Sequence, residues 1–514
     1  MNQYEVLELT VSGMEPREDW VNVDVNAVFE INGKEYTRKG YYAGNGLYKV
    51  HFLPQETGLL RYKVSGIVVA AGEEQVVPAA NGRHGLVRAV GTKFEYEDGT
   101  KYLPFGTTVY ALLHQEQELV KQTMQTMKEA PFNKIRFCVF PKFFDFNRNE
   151  PITFAFEKNE AGNWDVNRPC MAFWDELEYR ISQFDKMNIQ VDLILFHPYD
   201  HWGFMNLTRE ECFNYLEYMI RRLSAYPNLW WSLANEYDLM VDFDLKRWKD
   251  IATYLRHQDG YGHLLSNHNF VIPWDFSNPD ITHVCLQVSD AQEIPLLMKK
   301  YGKPVMYDEM GYEGNIPYSW GNLSAFEMVN RFWKTMCYGG YATHGETYME
   351  KMNDDQVLWW SKGGTLKGDS PARIRFLRDI MESFSGTPQV YQPEHRFNIE
   401  SQEQLKEQLA KNIPGFSDNP VFICMSKLND QQFKNMQKFF TQPMLHVGDE
   451  VYLQYFGDMC TIYGSIELPE NHKYKVEIVD VWEMKRTIAA ENVNGKVEII
   501  LPGKPGIAIL ATME

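Results

Sequence analysis

Between about residue 93 and residue 385, apolar strand-like runs alternate with amphipathic helical stretches, and this alternation constrains the fold more than any other feature. Strands separated by helices pair in parallel, because each helix carries the chain back along the sheet before the next strand begins. Eight strands are readable, near Leu103–Tyr110, Lys134–Phe140, Gln190–Phe196, Leu229–Ala234, Leu264–Asn267, His283–Val288, Pro304–Asp308 and Gly340–His344. Thr208-Arg209-Glu210-Glu211 is a capping box that opens a helix, followed by Phe213, Leu216, Ile220 and Leu223 at helical spacing. Ser324-Ala325-Phe326-Glu327 is a second box, and Lys300-Tyr301-Gly302-Lys303-Pro304 is a helix stop. About 290 residues and eight repeats favour a closed (β/α)8 TIM barrel over an open sheet.

The flanks read differently. Residues 1–88 hold short alternating runs such as Val21–Ile31 and Tyr48–Phe52, with Asn-Gly at Asn32-Gly33 and Asn45-Gly46, a hairpin signal. An N-terminal immunoglobulin-like β-sandwich follows. After residue 388 the runs Glu450–Tyr455, Tyr474–Trp482 and Lys496–Ile500 predict a C-terminal β-sandwich over 389–514, preceded by a helix at Asn429–Phe440. The expected architecture is α/β: a barrel over 89–388 between two β-sandwich domains.

Composition narrows the partners. With 51 Lys+Arg against 69 Asp+Glu, the net charge of −18 repels phosphate backbones and anionic lipid, so neither nucleic acid nor membrane is expected as a partner. An acidic surface also serves plain solubility. Seven widely spaced cysteines include no CxxC and no Cys/His zinc pattern. The N-terminal segment lacks a signal-peptide pattern and no apolar run is long enough to span a bilayer, so a reduced cytoplasmic setting is expected. A homo-oligomer is compatible with all of this. Aromatics make up 14% of the chain, which suits either sugar stacking or large cores.

A barrel of this kind places its chemistry at the C-terminal ends of its strands. Those ends carry Arg136 on strand two, His197, His201 and Trp202 after strand three, and Asn235-Glu236 after strand four. They continue with His268 after strand five, Gln287 on strand six, Tyr307-Asp308-Glu309 on strand seven and His344 with Glu346 at strand eight. Cleaving a glycosidic bond takes two carboxyl groups, one to protonate the leaving oxygen and one to attack or to activate water. Strands four and seven face each other across the barrel, so Glu236 and Glu309 can flank one bond. His197 and His201 have the i, i+4 spacing of metal ligands, but Pro198 between them argues against a helix, and no metal or organic cofactor is expected. The two histidines suit sugar contact or loop packing, and His268 and His344 suit sugar contact or structural hydrogen bonds.

These positions resemble the retaining clan A glycoside hydrolases, and more closely the apiosidase-like (β/α)8 group. The resemblance rests on Pro104-Phe105-Gly106-Thr107-Thr108, His197 to Phe204, Trp230 to Asp238, Tyr307 to Gly314 and Trp359-Trp360-Ser361-Lys362-Gly363-Gly364. Gly46-Leu47-Tyr48 through Pro54, and Val481 to Met484 with Leu501 to Pro505, resemble the sandwiches that accompany this barrel. The resemblance implies a retaining glycosidase acting on oligosaccharides of plant cell-wall or similar glycans, with Glu236 as acid/base and Glu309 as nucleophile; the alternatives are a non-catalytic carbohydrate-binding protein on a degenerate barrel and a transglycosidase using the same residues. It implies a substrate-binding shell of Arg136, Asn235, His197, His201, Trp202, His268, Gln287, Tyr307, His344, Glu346 and Trp360. Where many clan A enzymes have a Trp ending strand eight and a Tyr on strand six, this chain has His344, Glu346 and Gln287, so the sugar floor is rebuilt with Trp360 or Trp202. Glu309 is expected to be ionised by hydrogen bonds and by Arg136, and Glu236 to be protonated through burial and the charge of Glu309.

Overall fold

The computed structural model describes residues 1–351, 357–391, 399, 401–438 and 442–514. Eight parallel strands form one sheet: β1 (Phe105–Thr108), β2 (Lys134–Cys138), β3 (Gln190–Phe196), β4 (Leu229–Ala234), β5 (Leu264–Ser266), β6 (Val284–Gln287), β7 (Val305–Glu309) and β8 (Tyr341–His344). Their hydrogen-bonded order is β5-β4-β3-β2-β1-β8-β7-β6. The two ends of that order meet where Thr282 N donates to Leu265 O (2.8 Å) and Leu265 N to Thr282 Oγ1 (2.8 Å), so the sheet is a nearly closed barrel.

Helices α1 (Gln117–Glu129), α2 (Met171–Lys186), α3 (Arg209–Leu223), α4 (Leu245–Gln258), α5 (Ile294–Tyr301), α6 (Ala325–Cys337) and α7 (Ser370–Glu382) follow the strands in chain order. No helix stands between β5 and β6, where the sequence alternation predicts one. The Thr208 box forms as expected, its hydroxyl accepting from Glu211 N while Glu211 returns to Thr208 N. Gly302 takes φ +62°, the left-handed conformation that ends α5.

The N-terminal segment forms a three-stranded and a four-stranded antiparallel sheet. Their facing sides share a core that includes Phe29, Tyr42, Val50 and Leu60. Strand Val25–Ile31 alternates buried and more exposed residues, the mark of a sheet with one dry face. Asn32 (φ +52°) and Gly33 (φ +76°) make the tight turn that the Asn-Gly pair predicts. A three-stranded meander over Val87–Val90, Lys93–Tyr96 and Lys101–Tyr102 went unseen in the sequence alternation. It packs Phe94 against Trp230 (5.2 Å between ring centroids) and His283 (5.6 Å).

The C-terminal segment has a six-stranded antiparallel sheet and the pair Tyr463–Leu468 with Gly495–Ile500. Ile466 and Val497 of the pair share a core with Tyr452, Val476 and Ile509 of the larger sheet. The expected helix at Asn429–Phe440 is observed as Asp430–Lys438, with Phe439 and Phe440 outside the described residues. Two further helices precede it, Gln402–Ala410 and Pro420–Met425. By contact density the chain divides into two compact units, Met1–Val288 with Tyr301–Met328 and Ala342–Pro371, and Ser289–Lys300 with Val329–Tyr341 and Ala372–Glu514.

Candidate active site

The barrel interior is ionic. Lys134 Nζ lies 2.7 Å from Asp192 and 2.7 Å from Asp308, and Arg136 Nε lies 3.3 Å from Asp192. Asp308 also accepts from Thr343 Oγ1 (2.7 Å) and Cys285 Sγ (3.0 Å). All these groups are buried, so each charge must be met by another. Strand alternation predicts Asp308 facing away from Glu309; instead both reach Arg136, at 3.9 Å each. The reason is an irregularity at the end of β7, where the register with β6 shifts and Gln287 pairs with Glu309.

Two carboxyls stand above this layer. Tyr110, just after β1, donates its hydroxyl to Glu309 and lies 3.1 Å from Asn235 Oδ1 and 3.4 Å from the Tyr312 hydroxyl. Asn235 is the chain neighbour of Glu236, so the Tyr110 hydroxyl stands against the ends of both β7 and β4. Glu236 accepts a second tyrosine hydroxyl, from Tyr199 after β3. It accepts as well from Gln287, whose amide nitrogen lies 3.0 Å from Oε1 and 3.2 Å from Asn269 O in its satisfied orientation. Glu236 adopts φ +54°, a left-handed conformation that costs a glutamate about 1–3 kcal/mol and is stored where function over-determines geometry.

Burial pushes the Glu309 carboxyl up to about 8, against the Tyr312 hydroxyl, which favours the charged form. The shift runs opposite to the lowering expected from Arg136: the guanidinium is shared with Asp192 and Asp308, and burial sets the direction. Burial also raises Glu236, while the Lys142 ammonium and the donors Tyr199 and Gln287 pull it down. The Asp238 carboxylate adds to the upward push on Glu236.

Two buried carboxyls with distinct partners at the ends of β4 and β7 suit hydrolysis of a glycosidic bond. Residues 89–387 match the apiosidase-like catalytic domain, more than half of the chain. The chain belongs to the apiosidase-like family. Residues 1–66 and 440–512 match two domains of unknown function, DUF5060 and DUF5605. The crystal structure of a candidate glycoside hydrolase from Bacteroides vulgatus is 30% identical, with a TM-score of 0.84 over 100% of this chain and 99% of the other. A glycoside hydrolase family 5 structure from the same organism (12% identity, TM-score 0.59, 84% and 94% covered) shares the fold, as does another glycoside hydrolase (13%, 0.60, 84% and 97%). No curated protein matches the chain significantly. Family membership makes this chain a glycosidase.

In this apiosidase-like barrel the remaining expected residues divide. Trp360 stands at the pair, 5.6 Å from Tyr110 and 6.0 Å from Tyr312 between ring centroids, with Trp320 at 5.0 Å. Trp202, the other expected floor, instead donates Nε1 to Glu150 (3.0 Å) and has Phe143 and Phe154 as ring neighbours. His201 is exposed and stacks on Phe143 (4.5 Å), and His197 is buried against Phe140 O (3.1 Å). His268 is fully buried near Arg136, which with burial keeps its imidazole well below the ordinary histidine range. Tyr307 is buried within β7. His344 stacks on Phe132 (4.8 Å) and meets Thr107 Oγ1 at 3.3 Å, neither of which touches the carboxyl pair.

Glu313, His344 and Glu346 bring possible ligand atoms within 4.8 Å of one another, a spacing open to a cation. The carboxylates there are already engaged, however. Glu313 accepts from Asp369 N (2.9 Å) and Tyr348 Oη (2.8 Å), and Glu346 from Lys367 N (2.8 Å) and Gly368 N (2.9 Å).

Tyr110, Tyr199, Tyr312 and Lys142 were missing from the expected site. The first three fall within or beside the strand-end motifs, but loops lack the periodicity that reveals which side chains point inward. Lys142 offered one signal, a lone charge in the aromatic run Phe140-Pro141-Lys142-Phe143-Phe144.

Proposed function

We propose that this glycosidase works by retaining double displacement, with Glu236 as acid/base and Glu309 as nucleophile. The observation that carries the reading is that one hydroxyl, that of Tyr110, lies against both Glu309 and Asn235, the chain neighbour of Glu236, so the two strand ends that bear the carboxyls stand together. Glu236, raised by burial and held by Tyr199 and Gln287, is suited to give its proton to the leaving oxygen. Glu309, once ionised, attacks the anomeric carbon and forms a glycosyl ester. Glu236, now ionised, then takes a proton from water, which releases the sugar with its original anomeric configuration. Tyr110 orients the nucleophile, and Trp360 supplies an aromatic wall for a sugar face. Family membership supports oligosaccharides of plant cell-wall or related glycans as substrates, and the odd number of free cysteines supports action on imported oligosaccharides in a reducing compartment.

The test is a pair of variants on activated and unactivated glycosides. Glu236→Ala lowers turnover about 10²- to 10⁴-fold on poor leaving groups, spares the first step with dinitrophenyl glycosides, and is rescued by azide. Glu309→Ala loses both classes of substrate. Proton NMR of the first product should show retained configuration; inversion, or activity surviving in Glu309→Ala, overturns the assignment.

A further inference from the structure

Lys142 is the unexplained charge of the pocket. It follows β2 and is 5% exposed. Its ammonium lies over four rings, 3.6 Å from the centroid of Tyr110, 4.3 Å from Tyr199, 5.1 Å from Trp360 and 5.8 Å from Phe144. Two of these are the tyrosines whose hydroxyls hold Glu309 and Glu236. The cation therefore flanks the place where the anomeric carbon must sit. Among the described residues no carboxylate pairs with it, and no acceptor hydrogen-bonds it.

This placement is costly in two ways. Ring faces attract an ammonium, but they supply no hydrogen-bond acceptor for its three N–H groups. Burial accordingly pulls Lys142 down to about 8, partly restored by Glu236. In addition, the sugar ring becomes oxocarbenium-like as the bond breaks, and a fixed neighbouring cation repels that charge. Both penalties vanish if the sugar itself brings an anion. On a chain of net charge −18, an anionic substrate also needs a local cation to hold it.

We propose that Lys142 is a carboxylate-binding residue and that the sugar seated between Glu236 and Glu309 is a uronic acid, so that the enzyme cleaves uronides. The proposal rests on the Glu236 and Glu309 reading of the site and names the substrate class that this site takes. The uronate carboxylate accepts from the Lys142 ammonium, keeps it charged, and offsets the charge developing on the ring.

Calorimetric titration of the full chain with glucuronate and galacturonate, beside glucose and galactose, tests this without turnover. Wild type should bind a uronate about 10- to 100-fold more tightly than its neutral counterpart, the span expected for a hydrogen bond to a charged group. Lys142→Met should erase that preference. No uronate binding, equal or tighter binding of the neutral sugars, or a preference that survives in Lys142→Met overturns the proposal. Should Lys142→Met fail to fold, the wild-type comparison decides alone. Aryl uronides against aryl hexosides form a second arm. A preference confined to substrates with the acid in the leaving sugar would move the carboxylate across the scissile bond and also overturn the assignment. Uronate binding together with activity that persists in Glu309→Ala would instead sink the catalytic reading and leave the Lys142 subsite standing.

Discussion

Glu309 shows how burial and donors compete over one proton. Burial raises its carboxyl from the ordinary 4.5 to about 8, against a tyrosine hydroxyl that favours the charged form. With Glu309 as the proposed nucleophile the ionised form is the active one, so kcat/KM should rise as pH rises through the folded value, with the acid limb above 4.5. Tyr110 donates to Glu309 and thereby favours the charged form. Tyr110→Phe should move the acid limb to still higher pH and lower kcat/KM by about tenfold or more, the effect of losing one hydrogen bond to a charged group. A pH profile of kcat/KM on an aryl glycoside checks both; an acid limb that stays in place would mean that Tyr110 does not bear on Glu309. The limbs report the carboxyl pair rather than either residue alone.

At the scale of the elements, β2, β3 and β7 are held together inside the barrel by charge. Lys134 bridges Asp192 and Asp308 across three strands where aliphatic layers are usual. Replacing Lys134 with Met leaves two carboxylates dry and short of a partner, a change that costs about 3–5 kcal/mol for a buried pair. The midpoint of urea unfolding should fall accordingly, and an unchanged midpoint would mean that water reaches the layer. Lys134 and Arg136 hold the Asp308 carboxyl well below the ordinary 3.8. A depressed carboxyl stabilises the fold above its unfolded value, and that contribution is lost as pH falls below it. Acid unfolding of wild type should therefore set in below about pH 4 from this source.

At the scale of the molecule, the N-terminal sandwich is fastened to the barrel through polar contacts to α3 and the segment after α4. Arg221 Nη1 donates to Val23 O (2.9 Å) and Gly40 O (3.1 Å), Tyr218 Oη to Tyr42 O (2.9 Å), and His51 Nδ1 meets Arg222 O at 2.7 Å. Leu53 N donates to the Tyr261 hydroxyl (2.8 Å), and the joint also buries Tyr41 and Leu53. Deleting residues 1–88 bares these donors and rings together. The shortened chain should be insoluble or lack the cooperative unfolding of the parent, which sedimentation and circular dichroism would show. A soluble, cooperatively folding barrel would mean that the sandwich is an independent appendage.

The periodic part of this protein was legible in its sequence. The eight strands lie where the apolar runs put them, because a buried parallel strand needs a continuous apolar run and a surface helix needs a 3.6-residue stripe. The Asn32-Gly33 turn, the Thr208 cap and the Gly302 stop were legible for the same reason, since each depends on residues adjacent in the chain. The positions of Glu236 and Glu309 at two strand ends were legible once the strands were counted. What the tertiary structure alone decided is which partners meet. Asp308 turned inward because β7 slips register at its end, which no alternation rule reveals. The Glu309 carboxyl is raised, and not lowered as expected, because the closed barrel buries it while Asp192 and Asp308 arrive from two strands to share Arg136. Tyr110, Lys142 and Tyr199 converge from three loops that carry no period, so their common site exists only after the barrel has closed and brought distant strand ends within a few ångströms.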